Sequence, residues 1–265
     1  ILDAAKFFET GQKTELHYSV KNTDRTIGAK LSSVMYQKFK DENINDDKLT
    51  LNLEGSAGQS LGAFSVRGLS IKVEGDANDY VGKSLSGAKI IIRPNKNSLL
   101  NSNENTIIGN TCMYGSTSGY LFAAGQAGER FAVRNSGATA VVEGCGSNAC
   151  EYMTGGNIII LGLTGDNFGA GMTGGMAFVY DSDDNFKYRV NEETLIFDKI
   201  RSNYWENVLK EFIVKHYNET ESKHAKRILD DWDNEKLKFV QVCPKEIIHT
   251  LKYPLSENLQ KQTLQ

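Results

Sequence analysis

Short segments in which apolar and polar residues alternate lie near the start of the chain and predict β-strands. Residues 13–20 (KTELHYSV) place apolar side chains at every second position, and residues 48–55 (KLTLNLEG) do the same. Side chains two positions apart on a strand share a face, so each segment has one apolar face. Between these segments the apolar spacing is helical and follows Asp24, a residue that favours helix starts; the positions are Ile27, Leu31, Val34, Met35 and Phe39.

A glycine followed by a short apolar run recurs through the middle of the chain. The repeated glycines are Gly68, Gly87, Gly119, Gly137, Gly156 and Gly175. Consecutive members are separated by 19, 32, 18, 19 and 19 residues, and the long interval predicts an insertion near residues 95–105. Recurrence at a fixed step is the signature of a repeat architecture.

The third and fifth residues after these glycines are apolar throughout and predict columns that point into a core. The predicted inward columns are Ile71, Val73, Ile90, Ile92, Phe122, Val142, Ile159, Leu161 and Phe178. A unit with one apolar face can bury it only against neighbouring units, as in a solenoid. We therefore predict a mainly β fold, a right-handed parallel β-helix of single-stranded type with about 19 residues per repeat and flanking terminal helices.

Two alternative folds fit the pattern less well. A left-handed hexapeptide helix needs an aliphatic residue at every sixth position, which these units lack. A β-sandwich would give turn signals, but it would not hold one register over many units.

Changes in glycine content and in the spacing of apolar residues along the chain predict three regions. Residues 1–54 form a strand and helix lead-in, residues 55–181 form the repeat domain, and residues 182–265 form a helical appendix. The appendix contains two amphipathic segments, 204–217 and 221–232, followed by a short strand at 238–242. An open end of a sheet is usually covered, and these helices are suited to that role.

Composition excludes some classes of partner. The chain has 265 residues, 40% of them hydrophobic, and a formal net charge of −3, so we expect no binding to nucleic acid or membranes. The longest apolar run, 158–163, is too short to cross a bilayer. The chain begins at Ile1 without a visible secretory leader, which predicts a processed chain or an excised piece. We expect it in the cytoplasm, with an organelle as the alternative.

One motif resembles a nucleotide-binding loop. Residues 169–175 (GAGMTGG) spell G-x-G-x-x-G, the phosphate-binding fingerprint of dinucleotide folds. That fingerprint opens a helix, whereas an apolar strand pattern and an acidic turn follow here. Nucleotide binding is therefore a minor hypothesis.

Candidate reactive groups are scattered. Four cysteines are predicted to be reduced thiols, either buried or at the surface. Acidic residues occur in turns, where a sugar-cleaving or calcium-binding site is the alternative to simple turn chemistry. The acidic residues are Asp76, Asp79, Glu129, Glu143, Glu151 and Asp166. Asn148 and Asn167 each lie eight residues before a repeated glycine, which predicts a short amide ladder between them. No histidine lies between residues 18 and 215, so we predict no catalytic, cofactor-binding or metal-binding residue in this chain.

Several ordered motifs carry a family resemblance. The segments NTDRTIG (22–28), GSAGQSLGAF (55–64), EGDANDYVGKSLSG (74–87), IIGNTCMYG (107–115), AGQAGERFAVRNSGA (124–138), CEYMTGGNIIILG (150–162) and NFGAGMTGGMAFVYD (167–181) occur in that order. Together they closely resemble the C-terminal G-x-x-G-x-G (GXGXG) domain of the glutamate synthase large subunit. The segments 211–233 and 238–244 also resemble that subunit's C-terminal end.

This resemblance implies a function within a larger polypeptide. In that family an amidotransferase domain releases ammonia from glutamine, and the ammonia passes through a tunnel to a synthase domain with FMN and an iron–sulfur cluster. There it combines with 2-oxoglutarate and reductant to give glutamate. The resemblance implies that this chain is a structural domain between those two, without a cofactor of its own, and with a small reductase subunit or region as a further possible partner. The alternative is a stand-alone carbohydrate-binding or ligand-binding β-helix protein.

Overall fold

The computed structural model describes residues 1–40 and 47–256. The predicted lead-in at 1–54 and appendix at 182–265 therefore each include positions outside the described residues, 41–46 and 257–265 respectively. The helices are α1 (Ala5–Thr10), α2 (Ala29–Phe39), α3 (Asn203–Thr220), α4 (Lys223–Asp230) and α5 (Trp232–Glu235). The strands are β1 (Thr14–Val20), β2 (Leu49–Ala57), β3 (Leu69–Ala77), β4 (Ser86–Arg93), β5 (Thr106–Ile108), β6 (Ser118–Ala123), β7 (Gln126–Ala127), β8 (Ser136–Val142), β9 (Thr154–Ile160), β10 (Gly174–Tyr180), β11 (Leu195–Lys199) and β12 (Phe239–Pro244).

The strands join in one mixed sheet of 12 strands with the order β1-β2-β3-β4-β6-β8-β9-β10-β12-β11, and β5 and β7 lie off this path. Neighbours from β1 to β10 are parallel, whereas β12 is antiparallel to both β10 and β11. The prediction of a mainly β, right-handed parallel β-helix is therefore wrong. The fold is α/β, because the chain outside the repeat adds helices and closes the sheet with antiparallel strands.

The predicted region boundaries fall inside this single sheet. Strand β2 spans Leu49–Ala57 and so crosses the predicted boundary after residue 54. At the other end, β12 pairs with β10 through Ala177–Val242 and Tyr180–Phe239. The terminal regions thus extend the same hydrogen-bonded sheet that the repeat forms.

The sheet buries apolar residues on both faces, and different elements cover these two clusters. The first face packs against the segments that connect the strands, including Leu61, Phe131 and Met172. The second face packs against α3 and α4, including Leu209 and Ile228. We call these the inner face and the outer face. A strand buried on both faces reads as a continuous apolar run, as 158–161 does.

The nine predicted core residues divide between the two faces. Register alignment places Ile71, Ile90, Leu121, Ala140, Ile158 and Ala177 in one row on the inner face. The predicted residues Ile71, Val73, Ile90, Ile92 and Val142 belong to the inner cluster. The others, Phe122, Ile159, Leu161 and Phe178, belong to the outer cluster beneath the helices. A fixed offset from the glycine does not select one face, because Ile90 pairs with Leu121 rather than Phe122, and Ala140 pairs with Ile158 rather than Ile159. The pairing register shifts in both places, between β4 and β6 and between β8 and β9.

Candidate functional site

The connecting turns explain the glycine-rich motif. Residues with left-handed backbone alternate along each turn, as in Gly169 (φ 73°) and Gly171 (φ 66°). The middle residue of each turn donates its backbone N–H to the preceding turn, for example Gly169 to the Ala149 carbonyl at 2.8 Å and Cys150 to the Phe131 carbonyl at 2.8 Å. The left-handed corners of successive turns therefore stack, and glycine at such a corner lets the neighbouring turn approach closely.

The segment 169–175 contacts the protein's own neighbouring residues. A Cβ on Gly169 would lie 2.5 Å from Leu195, and one on Gly171 would lie 2.6 Å from the Tyr152 ring. Strand β10 begins at Gly174, where the dinucleotide fingerprint requires a helix. The close approach that demands glycine here is internal packing.

The repeated glycines occupy a second crowded position, near the start of each strand. Gly68, Gly87, Gly119, Gly156 and Gly175 have φ between 84° and 110°. Gly137 lies outside that left-handed region, but a Cβ there would meet the Thr117 carbonyl at 2.2 Å. These glycines permit neighbouring strands to approach.

The turn acids make separate structural contacts. Asp79 accepts the Asn110 backbone N–H at 2.8 Å, Asp76 accepts the Ser56 hydroxyl at 3.1 Å, and Glu151 pairs with Arg130 at 3.8 Å. Within residues 1–40 and 47–256, no group of three or more His, Cys, Asp or Glu side chains is placed to hold a metal ion. The acids serve the turns individually.

The predicted amide ladder is present. The Asn167 amide donates to the Asn148 side-chain oxygen at 3.0 Å, and Asn191 extends the ladder to Asn167 at 3.4 Å. All four cysteines are free and buried. Burial raises the pKa of Cys112, Cys145 and Cys243 to about 12, so these thiols are poor nucleophiles at neutral pH.

A buried polar cluster lies between β8 and the start of α4. Glu143 follows β8, His216 belongs to α3, and Ser222 caps α4 by accepting the Ala225 N–H at 3.0 Å. Glu143 Oε1 lies 3.3 Å from His216 Nε2 and also accepts the Ser222 hydroxyl. Both the Glu143 and the His216 side chains are fully buried.

The electrostatics of this cluster favour an ionised carboxylate. Burial alone would raise the pKa of Glu143, but the hydrogen bonds from His216 and Ser222 and the His216 charge outweigh burial and lower it. The serine bonds the carboxylate, and the geometry places Glu143, rather than His216, at the centre. A nucleophilic serine instead needs the histidine as its direct partner, and here the Glu143 carboxylate takes that place.

Sequence reasoning missed this cluster because its members are far apart in the chain. In the sequence Glu143 resembles the other turn acids, and His216 and His224 both lie outside the repeat. The signal that could have found it is the serine at the predicted start of the second C-terminal helix, next to histidines at 216 and 224. His224 lies beside the cluster and donates from Nε2 to the Leu161 carbonyl at 2.6 Å.

An open groove of about 510 Å³ lies where the outer face extends beyond the helices. Its floor comes from β1 to β4 and its wall from the end of α3. The polar residues that line it include His17, Asn52, Lys72, Glu54, Glu74 and Arg93. Arg93 bridges the two sides, at 3.7 Å from Glu74 and 2.9 Å from Glu221. The groove is polar and of mixed charge.

A second cleft, of about 350 Å³, marks the boundary of the helical cover. Lys89 extends into it and pairs with Asp47 at 2.8 Å and Glu219 at 2.6 Å. Burial alone would lower the pKa of Lys89, but these two carboxylates outweigh burial and raise it. The charged lysine thus ties the sheet to the end of α3.

No helix in the described part of the chain is long and apolar enough to cross a membrane.

Comparison with known proteins adds a family and its relatives. A family model described as "GXGXG motif" matches residues 1–245. The chain is 56% identical over 96% of its length to the "Glutamate synthase [NADPH] large chain" of Azospirillum brasilense. It is 44% identical over its full length to the "Glutamate synthase [NADH]" of Schizosaccharomyces pombe. It is 48% identical over 86% of its length to the "Ferredoxin-dependent glutamate synthase" of Pyropia yezoensis.

The match covers a small part of each relative. The chain spans 17%, 13% and 15% of the lengths of these three proteins, respectively.

Proposed function

Because the chain belongs to the GXGXG motif family and matches only 13–17% of three glutamate synthases, we propose that it is a non-catalytic scaffold domain of such an enzyme. The parent polypeptide would convert glutamine, 2-oxoglutarate and reductant into two molecules of glutamate. This chain would hold the amidotransferase domain, the FMN-containing synthase domain and the ammonia tunnel between them in register. Such positioning matters, since a displacement of about 1 Å at a reacting centre can reduce a rate about 100-fold.

The observation that carries this proposal is the part that the glycines of the family motif play in packing. Its glycines lie where a Cβ would meet neighbouring backbone or side chains, so the most characteristic residues of the chain support its packing. The buried Glu143 cluster supports the same conclusion, because it fastens α3 and α4 to the sheet.

The relatives support a role common to all of them. They are named for three different electron donors, NADPH, NADH and ferredoxin, yet they match the chain at 56%, 44% and 48% identity. A domain that handled the donor would be expected to differ most between such enzymes. We therefore assign FMN, the iron–sulfur cluster and the donor site to other domains, and the cytoplasmic location stays part of the same proposal.

The test uses substitutions that replace a titratable side chain with an uncharged side chain of similar size. Glu143→Gln, His224→Gln and Lys89→Met are introduced separately into the complete polypeptide. Where the melting temperature shows an intact fold, we expect kcat for glutaminase and synthase reactions to change less than about threefold. Removing a general acid or base typically costs about 100-fold to 10,000-fold. A loss of that size in any folded variant would overturn the scaffold proposal.

A further inference from the structure

The loop between β4 and β5 exposes two adjacent leucines. Leu99 is 100% exposed and Leu100 is 63% exposed. The surrounding residues, 95–105, are otherwise mostly asparagine and serine, and this loop makes the longest step between repeated glycines. Single exposed apolar residues are common on protein surfaces, but an exposed adjacent pair within a polar loop is a candidate contact.

Hydrogen bonds anchor the first and last parts of this loop. Its first part is fixed to the sheet, because the Lys96 backbone N–H donates to Glu74 at 3.0 Å. Its last part is fixed by Gln126, whose side-chain amide donates to the Asn103 carbonyl at 2.7 Å. Within the loop, the Asn105 amide donates to the Asn101 carbonyl at 2.8 Å. The leucines are thus presented by an ordered loop, which lowers the entropy cost of binding.

The surroundings of the leucines resemble the rim of a protein interface. The loop begins directly after Arg93, which pairs with Glu74 and Glu221 at the edge of the open groove. Protein interfaces commonly place an apolar anchor beside a polar, partly solvated rim. The mixed charge of the groove suits another protein surface better than a polyanion.

We propose that Leu99 and Leu100 insert into an apolar pocket on another domain of the same polypeptide. Arg93 and Glu221, which line both the open groove and a cleft beside Leu100, lie in the polar rim of that contact. The relatives provide the reason for this occupant, because the matched region is only 13–17% of their length and much polypeptide is left to cover the surface. This inference rests on the proposed function, since it needs neighbouring domains.

Thiol labelling of the complete polypeptide tests this contact. The chain's four cysteines are buried, so an introduced cysteine gives a distinct signal. Leu99→Cys is compared with Leu237→Cys, a matched control that is 65% exposed just before β12, and with Tyr188→Cys, which replaces a side chain that is 76% exposed. Each labelling rate is divided by the rate of the same variant in denaturant, and cysteines outside this chain are first replaced or blocked.

We expect Leu99→Cys to label at least about tenfold more slowly than the faster control, at every protein concentration. Labelling as fast as the controls would overturn the contact, and so would equal protection of all three positions. Protection lost on dilution would identify a second copy as the occupant and would also overturn the proposal. If Leu99→Cys labels fast while both half-reactions keep their kcat, only the proposed contact is refuted. The kcat losses described above would instead refute the scaffold proposal.

Discussion

Two halves of one sheet face differ in what covers them. Along one row of the outer face, β4 to β10 carry Ile91, Phe122, Val141, Ile159 and Phe178. The same row continues on β1 to β3 as His17, Asn52 and Lys72. Helices α3 and α4 cover the apolar half, and the polar half stays open as the groove. The residues on the sheet thus determine where the helices lie.

The largest effect is expected from a charge in the covered half. Ile159 is completely buried beneath the helices, so Ile159→Asp would leave a carboxylate without a partner. We expect the free energy of unfolding to fall by about 4 kcal/mol, measured by chemical denaturation. The matched change in the open half, Asn52→Asp, should cost less than about 0.5 kcal/mol. Equal costs would contradict the division of the face.

The next effect concerns the buried pair that attaches α3 to β8. His216→Leu removes a partner of the fully buried Glu143 and should lower the free energy of unfolding by about 3 kcal/mol. Adding Glu143→Gln to this variant should restore part of the loss, because the unpaired charge is removed. If the two substitutions have additive effects in a double-mutant cycle, the proposed coupling does not exist.

The covered half should also respond to acid. The pKa of Glu143 is lowered by its hydrogen bonds, so its contribution to stability is present above the pKa of the unfolded state, about 4.3, and is lost as pH falls further. Burial lowers the pKa of His224, so stability should begin to decline as pH falls below about 6.5.

Denaturation curves of the wild type, Glu143→Gln and His224→Gln between pH 8 and pH 3 measure these two contributions. The stability advantage of the wild type over Glu143→Gln should shrink below about pH 4. The decline that begins near pH 6.5 should be reduced in His224→Gln. Parallel pH profiles for the three proteins would refute both assignments.

The smallest effect is expected at the boundary between the halves. Lys89→Met removes the ion pairs with Asp47 and Glu219 but keeps an apolar stem against the sheet. Because the site is partly solvated, we expect a loss of about 1 kcal/mol that decreases at high salt. A loss above about 3 kcal/mol, independent of salt, would place Lys89 within the covered half.

The repeat could be predicted from the sequence, but its surroundings could not. The regular spacing of the glycines located each strand from β3 to β10 apart from β5 and β7. It did so because a residue without a Cβ recurs near the start of each of these strands, where neighbouring strands approach. The overall architecture was missed because β11 was not predicted, and because the antiparallel pairing of the predicted strand β12 with β10 and β11 depends on contacts distant in sequence. The face assignment of Phe122 and Ile159 was missed because apolar runs such as 158–161 give no alternation to read.

The buried cluster shows a similar limit. Nothing local to Glu143 distinguishes it from an exposed turn acid, and its partners lie 73 and 79 residues away. Only the docking of α3 and α4 on the outer face brings the three side chains together.

The scaffold proposal is tested most directly by exchanging the domain. Residues 1–245 of this chain, within its complete polypeptide, are replaced by the matching segment of a ferredoxin-dependent relative, and donor preference and ammonia release are measured. The proposal predicts that donor preference is unchanged and that each half-reaction keeps its kcat within about tenfold, with any defect seen as leaked ammonia. A donor preference that follows the exchanged domain would contradict it.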